Sequence, residues 1–125
     1  MTIADAISRI DVLKPNAYPA EDKVHWLSRL DGQIYEEVIK THEDSPLESF
    51  SGYDNDTDMD TTELLVSAPY DDIYALWLEA KIDYANGDYS KYNASITMFN
   101  TQYNNFTNYY NRTHKPISKA KFRYF

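Results

Sequence analysis

The chain has no cysteine, so disulfide frameworks, thiol nucleophiles and thiolate zinc sites are excluded. Its three glycines, Gly32, Gly52 and Gly87, stand far apart, which excludes a glycine-rich phosphate loop. No apolar run approaches the ~20 residues of a membrane-spanning helix. The stretch Met1 to Leu13 carries Asp5 and Asp11, unlike a secretion signal, so the expectation is a protein made and used in a cytoplasm, with no membrane contact. Two further absences concern charge. From Glu43 to Glu63 there is no Lys or Arg, and from Arg112 onward there is no Asp or Glu. From Asn93 to Asn111 there is no charged residue of either sign.

That uncharged stretch coincides with the strongest pattern in the chain. Tyr89, Tyr92, Ile96, Phe99, Tyr103, Phe106 and Tyr110 follow one another at alternating helical spacings, one stripe on an α-helix about 33 Å long. All but Ile96 are aromatic, so the stripe carries a large apolar area. The other faces hold Asn, Thr and Gln, and Asn and Thr are mediocre helix formers, so packing must hold this helix. A helix without charge over about five turns is expected to pack inside its own domain on one side and against a partner chain on the other. A core helix with a neutral polar back is the plainer alternative.

A length of 125 residues implies one domain with an independent core. Thr2 and Asp5 suit the start of a first helix, whose buried side would be Ile3, Ile7, Ile10 and Leu13, with Pro15 as its stop. A second helix begins near Pro19 and turns Val24, Leu27, Leu30, Ile34 and Val38 inward, with Trp26 and Tyr35 beside them. Pro69 opens a third helix, on which Tyr70, Ile73, Trp77, Ala80 and Tyr84 repeat at helical spacing. Asn86-Gly87 ends it and Asp88 caps the fourth. The fold expected is all-α: about four helices, with a long C-terminal antiparallel hairpin (69–114), a long acidic loop (43–62) and an extended C-terminal tail. Residues 1–114 would form a single helical domain and 115–125 an extended arm.

The loop has few apolar residues beyond Leu47, Phe50 and Tyr53, and a loop of this length is usually functional or mobile. Glu63 to Ser67 is a candidate short strand. After Pro116 the arm alternates apolar and basic residues, with no obvious partner strand elsewhere in the chain. The net charge of −8 argues against a duplex-DNA binder, whose affinity comes from neutralising phosphates. The opposite charges of loop and arm suggest separate contacts for each.

Chemistry is sparse. Asp54, Asp56, Asp58 and Asp60 match the first four ligand positions of an EF-hand, but Met59 stands where that loop needs Gly and Leu65 where it needs a bidentate Glu. A solvated acidic loop is the better reading. His25, His42 and His114 share no metal-ligand spacing, and His42 fits a helix-capping role. Glu36 and Glu37 are adjacent on a helix and diverge, a poor acid–base pair. No nucleophile motif is present, so no enzyme is expected, and no catalytic residue, metal or cofactor. The twelve tyrosines lie mostly on the helical stripes, as core and interface aromatics rather than base-stacking platforms.

Three blocks carry a resemblance: APYDDIYALWLEAKIDYANGDYSKYNASITMFN from Ala68 to Asn100, NYYNRTH from Asn108 to His114, and DKVHWLSRLD from Asp22 to Asp31. They resemble small prophage proteins of Gram-positive bacteria, and look like the head–tail connector (adaptor) proteins of long-tailed bacteriophages. The resemblance implies an all-α protomer in a ring, expected at twelve copies, beneath the portal protein. Such a ring would continue the DNA channel, pass DNA without sequence-specific binding, and meet the next neck or tail-completion protein. Its place would be the neck of the virion, after assembly in the host cytoplasm. Asp54, Asp56, Asp58 and Asp60 are candidate channel-lining residues. Lys119, Lys121, Phe122, Arg123, Tyr124 and Phe125 are candidate partner-binding residues. The alternatives are another helical phage assembly module, such as a head-completion or tail-assembly protein, and a host-directed regulatory binder.

Overall fold

The computed structural model describes residues 1–43 and 45–117. It is all-α: α1 (Ile3–Leu13), α2 (Ala20–Ile34) continued by a π-helical turn (Tyr35–Ile39), α3 (Asp72–Ala85) and α4 (Tyr89–Thr113). Among the described residues there is no β-strand, only two isolated bridges, Thr2 to Glu63 and His42 to Pro116.

The start of α1 is closed by a capping box. Thr2 Oγ1 accepts from the Asp5 amide (3.1 Å) and Asp5 Oδ2 accepts from the Thr2 amide (3.0 Å). Such a cap contributes about 1 kcal/mol. The helix buries Ile3, Ala6, Ile7 and Ile10. Leu13, expected among them, is 62% exposed. The residue that turns inward there is Lys14, whose Nζ donates to Asp83 and lies 3.8 Å from Glu79, so an ion pair takes the place of an apolar contact.

Every apolar residue expected on the buried side of α2 and its extension is buried: Val24, Leu27, Leu30, Ile34 and Val38. The wider π turn also brings Tyr35 and Ile39 inward. Tyr35 hydroxyl donates to the Glu48 carbonyl (2.6 Å), tying the following segment to this turn.

Residues 45–71 are better held than their composition suggests. Leu64 and Val66 belong to the core, and Leu47, Phe50, Tyr53, Met59 and Leu65 pack against it. Where a short strand was expected from Glu63 to Ser67, the amides are taken by single partners instead of a ladder. Leu64 N donates to the Met1 carbonyl, Leu65 N to Asp31 and Val66 N to the Tyr74 hydroxyl. At Gly52 the backbone has φ of +90°, and a Cβ would lie 2.7 Å from Ser28 Oγ. That same hydroxyl accepts from Tyr53 N (2.9 Å), so glycine is what lets the segment lie on α2.

α3 begins at Asp72, three residues later than its proline suggested. It is the central helix, packed against α1, α2 and α4. This explains why it buries Ile73, Tyr74, Ala75, Leu78, Ala80, Ile82 and Asp83 around much of its circumference. Gly87, with φ of +76°, follows it in the left-handed conformation of a helix end. Asp88 Oδ1 then accepts from Lys91 N (3.2 Å) and caps α4.

α4 runs for 25 residues, about 37 Å. Its stripe is only partly core. Phe99, Phe106 and Tyr110 are buried, while Tyr89 is 60% exposed and Tyr84 of α3 58% exposed. The turn between α3 and α4 reaches past the end of the core. Tyr84 there pairs with neighbouring rings, its centroid 5.7 Å from that of Tyr89 and 5.3 Å from that of Tyr92.

Candidate assembly surfaces

Asp54, Asp56, Asp58 and Asp60 are all exposed. The loop that carries them is fixed at one side, where Ala4 N donates to the Met59 carbonyl (2.9 Å) and Ile3 N to the Thr62 carbonyl (3.1 Å). Two of the carboxylates are turned to their own backbone. Asp54 Oδ1 accepts from Asp56 N (2.9 Å), and Asp58 Oδ1 from Asp60 N (3.0 Å). These are short polar turns of the kind Asp favours. Among the described residues no three acidic or histidine side chains gather where one metal ion would sit. The loop presents a field of negative charge, not a cage.

The exposed side of α4 is its opposite. Asn93, Ala94, Thr97, Met98, Thr101, Asn105 and Asn108 all lie in solvent without a charge among them. The threonine hydroxyls face inward along the helix: Thr97 Oγ1 donates to the Asn93 carbonyl (2.7 Å) and Thr101 Oγ1 to the Thr97 carbonyl (3.1 Å). Thr107 and Thr113 do the same to Tyr103 and Tyr109. With their protons already bound, these residues give up little hydrogen bonding when water leaves. The surface is neutral.

A third surface lies where α4 ends. Tyr70, Phe106, Tyr109, Tyr110 and His114 line a groove of about 280 Å³, closed on the other side by Ile39, Pro46 and Leu65 to Ala68. Tyr70 stacks on Tyr109 at 4.5 Å and His114 on Tyr110 at 3.8 Å. Behind them His42 is buried against Tyr110 (4.7 Å), its Nδ1 donating to the Val38 carbonyl (2.6 Å) and its Nε2 2.8 Å from Asn111 Oδ1. The chain then leaves the groove alongside the end of the π turn. Glu43 N donates to the Lys115 carbonyl (2.8 Å) and Ile117 N to the Thr41 carbonyl (3.0 Å). The first residues of the arm thus have a partner within the chain, contrary to expectation, because the turn after Ile39 leaves free backbone groups beside them. The partner-binding candidates Lys119, Lys121, Phe122, Arg123, Tyr124 and Phe125 lie outside the described residues.

One group joins the framework under these surfaces, and its role was not foreseen. Asp31 is fully buried on α2. Its Oδ1 accepts from the Tyr74 hydroxyl (2.7 Å), and its Oδ2 from the Tyr53 hydroxyl (2.6 Å) and the Leu65 amide (3.1 Å). Tyr74 hydroxyl in turn accepts from Val66 N (2.8 Å). Burial raises the Asp31 carboxyl above its ordinary range, with the three donors opposing it. Burial and the same carboxylate push the Tyr53 and Tyr74 hydroxyls up. The arrangement binds α2, α3 and the segment 53–66 together. The clue in the sequence was spacing: Val24, Leu27, Asp31, Ile34 and Val38 form a helical stripe with one acid in it.

Compared with known protein families, curated proteins and solved structures, the chain matches none.

Proposed function

We propose that this chain is a structural subunit of a bacteriophage neck, a head–tail connector (adaptor) that assembles into a ring beneath the portal protein. The observation that carries the reading is the charge-free outer side of α4 on a chain of net charge −8. Copies this acidic repel one another wherever their charged surfaces meet, and a long neutral helix side is where a neighbour costs least. The resemblance of residues 22–31, 68–100 and 108–114 to connector proteins points to the same assembly. In this reading the antiparallel hairpin of residues 69–114 forms the wall of a ring of about twelve copies, a number the resemblance supplies. The acidic loop, with Asp54, Asp56, Asp58 and Asp60, faces the channel, where like charge keeps DNA from adhering as it passes. Residues 115–125 form an arm that reaches the portal or the next neck protein. The ring would form in the host cytoplasm and end in the virion.

The test is the mass of the free protein, and of the protein mixed with the portal of the same phage, read by light scattering and electron microscopy. A ring of fixed copy number in either sample supports the reading. A chain that stays monomeric in both, at every concentration, overturns it.

A further inference from the structure

We infer that a groove between α1, α3 and α4 receives the α3–α4 turn of a second copy of this chain, with Tyr84 as the side chain that enters it. This contact rests on the reading of the chain as a ring-forming subunit, and adds which two surfaces meet.

Among the described residues five large apolar side chains are exposed, and they fall in two places. Leu13 and Met98 line a groove of about 270 Å³ together with Leu76, and Val12 stands beside Leu13 in sequence. Tyr84 and Tyr89 stand at the turn between α3 and α4, past the end of the core, with ring centroids 5.7 Å apart. The groove is concave and the turn projects, so a contact between them covers both apolar groups at once. From Tyr89 to Met98, α4 rises about 13 Å and makes about two and a half turns, which sets turn and groove on opposite sides of the helix. A copy's own turn therefore does not reach its own groove. A contact between unlike surfaces passes from copy to copy, and a ring is how it closes.

Charge selects the same pairing. The groove carries Arg9, Asp72 and Glu79; the first two lie 3.6 Å apart as an ion pair, which leaves one negative charge at Glu79. Lys14 is 3.8 Å from Glu79, but it donates to the buried Asp83 and the two cancel. At the turn, Asp88 and Lys91 are paired at 3.7 Å. Lys81 stands one helical turn before Tyr84 with its ammonium 4.6 Å from the centre of the Trp77 ring. No carboxylate among the described residues lies within ion-pair distance of it. The turn thus brings one uncompensated cation beside an exposed tyrosine, on a chain whose net charge is −8. The groove of a second copy offers that cation an acid and that ring an apolar floor, with Tyr84 placed as the anchor.

The test exploits the absence of cysteine from the chain. Full-length Ala85→Cys and Gln102→Cys proteins each carry one thiol, at the turn and at the groove, and keep Tyr84 and Met98. They are treated with a short bismaleimide, mixed and separately, with and without the portal of the same phage, and the mass of each sample is read by light scattering beforehand. The expected result is a dimer linked from position 85 to position 102 in the mixture, at least about tenfold above the dimer from either protein alone. Adding Met98→Lys to the Gln102→Cys protein sets a cation at an exposed groove position, against Lys81 of the incoming copy. It should lower that yield about tenfold and leave the urea midpoint where it was. Samples of ring mass that link 102 to 102, or do not link at all, overturn this contact and leave the ring standing. So does a yield that Met98→Lys leaves unchanged. A chain that is monomeric in every sample overturns the contact and the ring together.

Discussion

The molecule holds two kinds of aspartate site, and their contrast separates structure from surface. Asp31 is one carboxylate, fully buried, and it accepts from three residues on two other segments. Asp54, Asp56, Asp58 and Asp60 are four exposed carboxylates, and the bonds found for Asp54 and Asp58 run to their own turns. The conspicuous cluster fastens nothing beyond itself, while the solitary acid fastens the centre of the fold. Density of charge in a sequence therefore marks what a surface offers to others. A single charge within an apolar stripe marks what the interior needs.

The contrast is most open to attack at Asp31. Replacing it with Ala leaves the Tyr74 hydroxyl and the Leu65 amide without an acceptor in the interior, at about 1–3 kcal/mol each. Asp31→Ala should lower the free energy of unfolding in urea by about 2–6 kcal/mol. A loss too small to measure would mean that water reaches the site and that the hub is no hub. Tyr74→Phe is milder, since it removes the hydroxyl that links Val66 N to Asp31, and should cost about 1–3 kcal/mol by the same measurement.

The third effect is a dependence on pH. Burial holds the folded carboxyl of Asp31 above its ordinary value of 3.8, so the folded chain keeps this proton more tightly than the unfolded chain. The contribution of Asp31 is therefore most favourable below the unfolded value and declines as pH rises through the folded one. Wild-type and Asp31→Asn stabilities, compared from about pH 3 to pH 7, should diverge in slope by that amount; parallel curves would show that Asp31 titrates normally. The smallest effect belongs to the other side of the contrast. Converting Asp54, Asp56, Asp58 and Asp60 together to Asn should leave the urea midpoint of the isolated protein where it was. If the neck reading is right, particles built with it still assemble but deliver their genome poorly.

What could be read in advance was local. Thr2 with Asp5, Asp88 and Gly87 mark helix ends through contacts within a few residues of themselves, and the structure has those ends. The buried side of α2 followed from spacing alone. Asp31 stood in the same spacing, but its partners lie 22, 34 and 43 residues away, a distance over which periodicity carries no information. Leu13 and Tyr89 mislead for a related reason. Each continues a helical stripe correctly, yet a stripe does not tell where the neighbouring element stops, and both lie beyond that point. The aromatic groove draws on the π turn, Pro46, the segment after Leu64 and the end of α4, four regions that only tertiary packing assembles.

Gly52 carries a consequence for how such a chain can diverge. The exposed acids of the segment it belongs to, Asp54, Asp56, Asp58 and Asp60, are free to change, because their side chains lie in solvent. Position 52 has no such latitude, since even a methyl group there meets Ser28 and the backbone φ disfavours every other residue. In descendants of this sequence the glycine should outlast the aspartates that follow it. A relative without it will have relaid the whole segment across α2, and its surface there should be treated as a new one.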